Sequence, residues 1–177
     1  MTFRFAFLWL LAPLTLGAVI LSPCAAAADE IGAVSVRVGG TRLDHAEGSQ
    51  WHPTVSLAGS LKLIGPLELG AFGRVTARSL PLKNPGFGGG VFVGVRPAFG
   101  IFRPSFEASA AYQRLPAGQS QFTRGWAFGL LLGAGVDVHE GVTLSAYAGH
   151  EWLLPNHTDM LGTHSWSGGL SLTFAMP

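Results

Sequence analysis

The stretch that decides the fold is His164-Ser165-Trp166-Ser167-Gly168-Gly169-Leu170-Ser171-Leu172-Thr173-Phe174-Ala175-Met176. Trp166, Gly168, Leu170, Leu172, Phe174 and Met176 fall on one face of an extended chain. Ser165, Ser167, Gly169, Ser171, Thr173 and Ala175 fall on the other. A period of two, greasy on one side and polar on the other, is the mark of a strand between two different environments. The alternation recurs from Ile31 almost to the C-terminus, with turns between the repeats. Repeats of this kind read as the wall of a barrel. Charged residues ride in phase with the polar face. That face is therefore placed inward and the greasy face in lipid.

Working back from this stretch, eight strands are predicted near residues 31–43, 54–63, 67–79, 87–98, 104–114, 122–138, 142–153 and 164–176. The connections alternate in length. Those at 64–66, 99–103 and 139–141 are tight. Those at 44–53, 80–86, 115–121 and 154–163 are longer, polar and rich in Gly, Pro, Asn or Ser. Short turns on one rim and longer loops on the other are expected of an outer-membrane barrel, with the short ones periplasmic. An even strand number brings both ends of the wall to the short-turn rim. The fold class predicted is all-β, an eight-stranded antiparallel up-and-down transmembrane β-barrel.

Composition points the same way. Charged residues make up only 12% of the 177-residue chain, and mean hydropathy is +0.37, both unusual for a soluble domain. Arg4, the apolar run 5–21 and Ala26-Ala27-Ala28 read as a secretory leader, residues 1–28, cleaved after Ala28. Beyond the leader no apolar run approaches the roughly 20 residues of a spanning helix, and only a closed barrel otherwise satisfies every backbone group in lipid. The single cysteine, Cys24, leaves with the leader. Pro23 before it departs from the pattern of a lipidation box. Residues 29–177 then form one domain with 10 basic and 10 acidic residues, since Arg4 is the only charge in the leader. That balance excludes the basic field a nucleic-acid partner requires.

The inward phases carry Arg37, Lys62, Arg74, Arg78 and Arg96 against Glu68, Glu107, Asp137 and Glu151. Charges inside a lipid-embedded wall are costly unless paired, so these nine are expected to form a network that fills the lumen. Inward glycines are expected to make room for the arginines opposite. A wide pore is excluded, because porins use roughly 16 strands. On the greasy face Tyr112, Trp126, Trp152 and Trp166 fall near the long-loop rim, and Phe106 and Phe174 near the other. Two aromatic belts at two interfaces are expected of a spanning barrel.

On its leader, dyad repeats, turn asymmetry and final Ser-Gly-Gly-Leu-Ser-Leu-Thr-Phe strand, the chain resembles the small eight-stranded outer-membrane β-barrels, the broad family that includes the transmembrane domain of outer membrane protein A. The resemblance covers 29–177. It implies a Gram-negative outer membrane reached through the periplasm, contact with outer-membrane lipids and lipopolysaccharide, and handling by the barrel-insertion machinery. Family members commonly end on an aromatic residue; here Phe174 stands three residues from the terminus. The function expected is that of an integral barrel with a polar lumen filled by side chains, structural or surface-interacting. A narrow ion or small-solute channel is the first alternative.

The second alternative is a lipid hydrolase or acyltransferase built on His150-Glu151 and His164-Ser165-Trp166-Ser167. A nucleophile and its base must reach hydrogen-bond distance. By alternation His150 and His164 face lipid while Glu151, Ser165 and Ser167 face the lumen, so the pieces lie on opposite sides of the wall. Two histidines without a third ligand are a weak zinc signal. Residues 85–90, Pro-Gly-Phe-Gly-Gly-Gly, lack the Lys-Ser/Thr and the helix of a phosphate loop. No catalytic residue, metal or cofactor is expected, and His45, His52, His157 and Asp159 are read as solvated loop residues.

Overall fold

The computed structural model describes residues 30–45, 48–77, 85–116, 122–155 and 161–177. The leader with Cys24, Arg78, His157 and Asp159 lie outside the described residues. Eight strands follow one another: β1 (Gly32–His45), β2 (Gly48–Ile64), β3 (Leu67–Thr76), β4 (Gly86–Val95), β5 (Phe102–Pro116), β6 (Phe122–His139), β7 (Val142–Pro155) and β8 (Leu161–Met176). Each pairs antiparallel with the next, and β8 returns to β1, from Gly32 opposite Met176 to Leu43 opposite Ser165. The sheet is a closed up-and-down barrel, as the alternation predicts. No helix among the described residues is long and apolar enough to cross a membrane.

Closure fixes the geometry of the wall. A walk along paired residues from Trp51 on β2 passes Arg42, Trp166, His150, Leu130, Ala108, Val93 and Leu69, and returns to β2 at Leu61. The return is displaced by ten residues, the difference between 61 and 51. For eight strands that stagger requires a tilt of about 40° from the barrel axis. Strands of ordinary transmembrane length then span the wall, and the interior is narrow enough for side chains to fill.

The strands differ from expectation mainly at their ends. The loop expected at 44–53 is largely strand: β1 and β2 stay paired out to His45 opposite Gly48. Side chains there no longer alternate apolar with polar because the ribbon projects past the zone that demands it, while backbone pairing is indifferent to side-chain polarity. His52, read as a loop residue, is accordingly an inward strand residue and almost fully buried. β5 begins at Phe102 rather than 104, after a turn in which Phe99 and Phe102 exchange backbone hydrogen bonds of 2.9 and 3.1 Å. β3 stops at Thr76 rather than 79, and Ala77 just beyond it is fully buried. Two turns of the opposite rim contain Gly65 (φ 56°) and Gly141 (φ 70°), left-handed conformations that a side chain would strain.

The outer face is apolar along the strands. Leu57, Leu61, Val91, Leu130, Leu132 and Leu170 all point away from the lumen and are exposed. Tyr112, Trp126, Trp152 and Trp166 face out toward the loop rim, and Phe106 and Phe174 face out toward the turn rim. Trp51 and Phe87 join the first group, and Phe99 and Phe102 the second. Tyr112 and Trp126, directly opposite on β5 and β6, meet edge to face at 5.6 Å between ring centroids.

Candidate functional site

The inward phase of each strand carries the polar residues, and closure brings them together across a narrow space. Arg37 on β1 meets Glu107 on β5 at 2.5 Å. Arg74 on β3 meets Glu151 on β7 through two hydrogen bonds, Nη1 to Oε2 at 2.8 Å and Nη2 to Oε1 at 2.6 Å. In a closed ring of eight, β1 and β5 are diametrically opposite, as are β3 and β7. The two pairs are struts across the barrel, set at right angles to each other. The forked geometry of Arg74 with Glu151 is the strongest form of such a contact.

The remaining charges extend this framework toward the turn rim. Arg96 lies 3.7 Å from Glu68 and 3.9 Å from Glu107, so Glu68, Arg96, Glu107 and Arg37 alternate in sign along one chain of contacts. Ser60 donates to Glu68 at 2.8 Å. Lys62 donates to Glu30 at 3.0 Å. Asp137 accepts from Arg103 Nε at 2.8 Å and from Thr143 at 2.7 Å. Phe92 and Phe72, also inward, present their rings to Arg37 and Arg74 with the guanidinium carbons 5.9 and 5.4 Å from the centroids, within cation–π range. Five cations face five anions here, which offsets the desolvation each one suffers.

Small cavities lie among these inward side chains. One of about 30 Å³ borders Arg37, Arg74, Tyr147 and Glu151. One of about 40 Å³ borders Lys62, Glu68, Arg96 and Asp137 nearer the turn rim. They share no lining residue, and each has room for only a few waters. Toward the loop rim the inward side chains change character. Leu43, Leu115, Ala127 and Leu153 form a buried apolar cluster, with Leu43 wholly inaccessible. This cap lies beyond the polar framework, since Leu153 follows Glu151 and Leu43 follows Thr41 in the same phase.

Three features were not anticipated from sequence. Arg103 was read as part of a turn, but the early start of β5 puts it in the phase of Glu107. Glu30, just before β1, joins Lys62. The apolar cap was not singled out either; its signal is three leucines in the inward phase at the loop ends of their strands. One expectation is corrected. The inward glycines do not chiefly accommodate arginines. A Cβ at Gly94 would lie 3.2 Å from Glu107 Cγ and one at Gly129 2.9 Å from Glu151 Cγ, while Gly70 lies beneath the Phe92 ring and Gly39 beneath the Tyr147 hydroxyl. Glycines opposite bulky groups set how closely those groups hug the wall.

On the outer face, His150, Trp152, His164 and Trp166 form one patch. His150 stacks on His164 at 5.2 Å and contacts both tryptophans at 4.6 and 4.4 Å. Ser165 and Glu151 lie on the other side of the wall, 3.4 Å apart. The β7–β8 ladder runs without a bulge from Val142 to Trp152, so neither histidine swings inward to meet the serine. No group of three or more metal-ligating side chains occurs among the described residues.

No family model and no curated protein sequence matches this chain. Solved structures do. Neisserial surface protein A superposes with a TM-score of 0.65 at 14% identity, over 81% of this chain and 96% of that one. The N-terminal β-barrel domain of Pseudomonas aeruginosa OprF superposes with a TM-score of 0.56 at 16% identity, over 82% of this chain and 99% of that one. The chain has the fold of the small eight-stranded outer-membrane barrels. The interior of this chain holds crossed ion-pair struts, small polar cavities and an apolar cluster at the loop end.

Proposed function

We propose that this chain is an integral outer-membrane protein of a Gram-negative cell, with a lumen closed by its own side chains and a structural or surface-interacting role. The observation that carries the reading is the pair of crossed struts, Arg37–Glu107 and Arg74–Glu151, beneath the cap of Leu43, Leu115, Ala127 and Leu153. An ion entering from either rim must break a buried pair or enter an apolar constriction, and both cost several kcal/mol, of the order of the desolvation of a charge. The outer wall supports membrane insertion: exposed aliphatic side chains between two sets of outward rings match a hydrocarbon band flanked by interfaces. In this reading the leader delivers the chain to the periplasm and the insertion machinery receives it. Bilayer lipids and lipopolysaccharide then surround the wall, and any surface partner meets the loop rim. Neisserial surface protein A, similar in fold, is by its name a surface protein.

Fractionation with gel migration of unboiled and boiled samples tests the placement. An outer-membrane fraction with a heat-dependent mobility shift is expected, and a soluble protein without one would overturn it. Planar-bilayer recording on refolded protein tests the closed lumen. No discrete current steps are expected, whereas regular, salt-dependent steps would assign the channel function instead. Altered acylation of lipid A or phospholipid on overexpression, abolished by His164→Ala, would assign the enzyme.

A further inference from the structure

Trp152 on β7 is directly opposite His164 on β8, and His150 is directly opposite Trp166. All four side chains face outward, because Glu151 and Ser165 between them point into the lumen and are buried. His164 is exposed and His150 half-buried. The two histidines occupy one diagonal of this square, with ring centroids 5.2 Å apart. Two imidazoles that share one tetrahedral ion, with metal–nitrogen bonds of about 2.0–2.1 Å, have centroids about 5 Å apart. The backbone thus already holds the rings at the separation of a chelate. Their planes are inclined by 28°, and the terminal torsion of a histidine is broad. Turning the exposed His164 ring therefore aims a nitrogen of each ring at a common point. The ladder beneath them is paired without a bulge from Val142 to Trp152, and a site built on rigid strands keeps its spacing.

We propose that His150 and His164 chelate a divalent transition-metal ion of the borderline class, copper, nickel or zinc, on the outer wall near the loop rim. Donor type selects the ion. Neutral imidazole suits this class, while magnesium and calcium need oxygen. Glu151, next to His150 in sequence, is on the lumen side and held by Arg74. Arg42, the outward cation on the neighbouring strand, lies beyond Trp166 and beside Asp44. The site is open: two positions come from the protein and the rest go to water. That sets it apart from a structural zinc, closed by four protein ligands, and leaves the ion exchangeable. Trp152 and Trp166 flank His150 at 4.6 and 4.4 Å. They limit how that imidazole turns, so His164 closes the chelate. They also set the ion at the level of the aromatic belt, which water reaches. The chelate lies wholly on the outer wall and is independent of whether the lumen conducts.

Copper(II) titration of the untagged barrel, refolded in detergent at neutral pH, tests this. Bound ion is read by electron paramagnetic resonance and by quenching of tryptophan fluorescence. One copper per barrel is expected, with hyperfine structure from two imidazole nitrogens. Zinc is expected to displace it and magnesium to leave it in place. H150Q and H164Q are each expected to weaken binding about tenfold, because the second, tethered imidazole acts as a high local concentration of ligand. H139Q, which alters an exposed histidine at the opposite rim, is expected to leave binding unchanged. Equal affinity of the parent and H150Q/H164Q would overturn the proposal. So would displacement of copper by equimolar magnesium. A parent spectrum with one coordinating nitrogen or none would overturn it as well, and that measurement needs no variant to fold.

Discussion

Arg74 and Glu151 show what a residue-scale argument can and cannot extract from this sequence. That both charges belong inside follows from phase alone, because each stands among residues spaced by two on a strand whose other face is apolar. That they meet each other follows only from closure and stagger, which set β3 across from β7 and decide the height at which each side chain arrives. Removing one partner leaves the other charge buried and alone. Arg74→Leu or Glu151→Leu is therefore expected to destabilise the barrel by about 3–5 kcal/mol, and the double replacement by clearly less than either single one. Urea unfolding in lipid vesicles, run as a double-mutant cycle, measures the difference. Additive losses would show that the strut carries no coupling. The same limit explains why Arg103 and Glu30 were missed: each depends on where a strand starts, and an end can shift by two residues without changing the pattern inside it.

At the scale of the element, the eight strands were readable because half the wall must be apolar and half polar over about ten residues each. Legibility failed where that demand lapses, in the β1–β2 ribbon beyond the wall and at Ala77 past the end of β3. The outward phase itself is tested by Leu132, exposed at mid-strand on β6. Leu132→Arg is expected to cost about 2–4 kcal/mol in a bilayer, the value for a cation on the hydrocarbon face. A neutral effect in vesicle unfolding would mean that this face meets water. The seam between β1 and β8 makes a second demand on side-chain size. A Cβ at Gly169 would press on the Val38 carbonyl and stand 2.6 Å from the Gly39 Cα, whereas at Gly168 the nearest atom is 3.4 Å away. Gly169→Val is expected to prevent formation of the fast-migrating folded band on unboiled gels, and Gly168→Val to permit it.

For the whole molecule, the struts and the apolar cluster occupy different heights of the interior. In the function proposed above, the polar framework braces the wall and the leucines close the loop end to water. Arg37→Ala with Glu107→Ala removes one strut and keeps the charge balance. Brief current steps in planar bilayers are expected from this variant at low frequency. Adding Leu43→Ser and Leu153→Ser is expected to lengthen them, since a dewetted constriction then becomes wet. Silence from all of these variants would place the barrier elsewhere.

The pairing of β1 with β8 has a consequence for how the cylinder comes into being. Gly32 finds Met176 only after every intervening strand exists, so the first strand laid down waits longest for its last neighbour. Until then the growing sheet has two raw margins, each able to zip onto a stranger. Contacts this distant in sequence also form slowly. The mature wall has no edge at all; its precursor has two, and the cell must keep them apart until the ring is sealed.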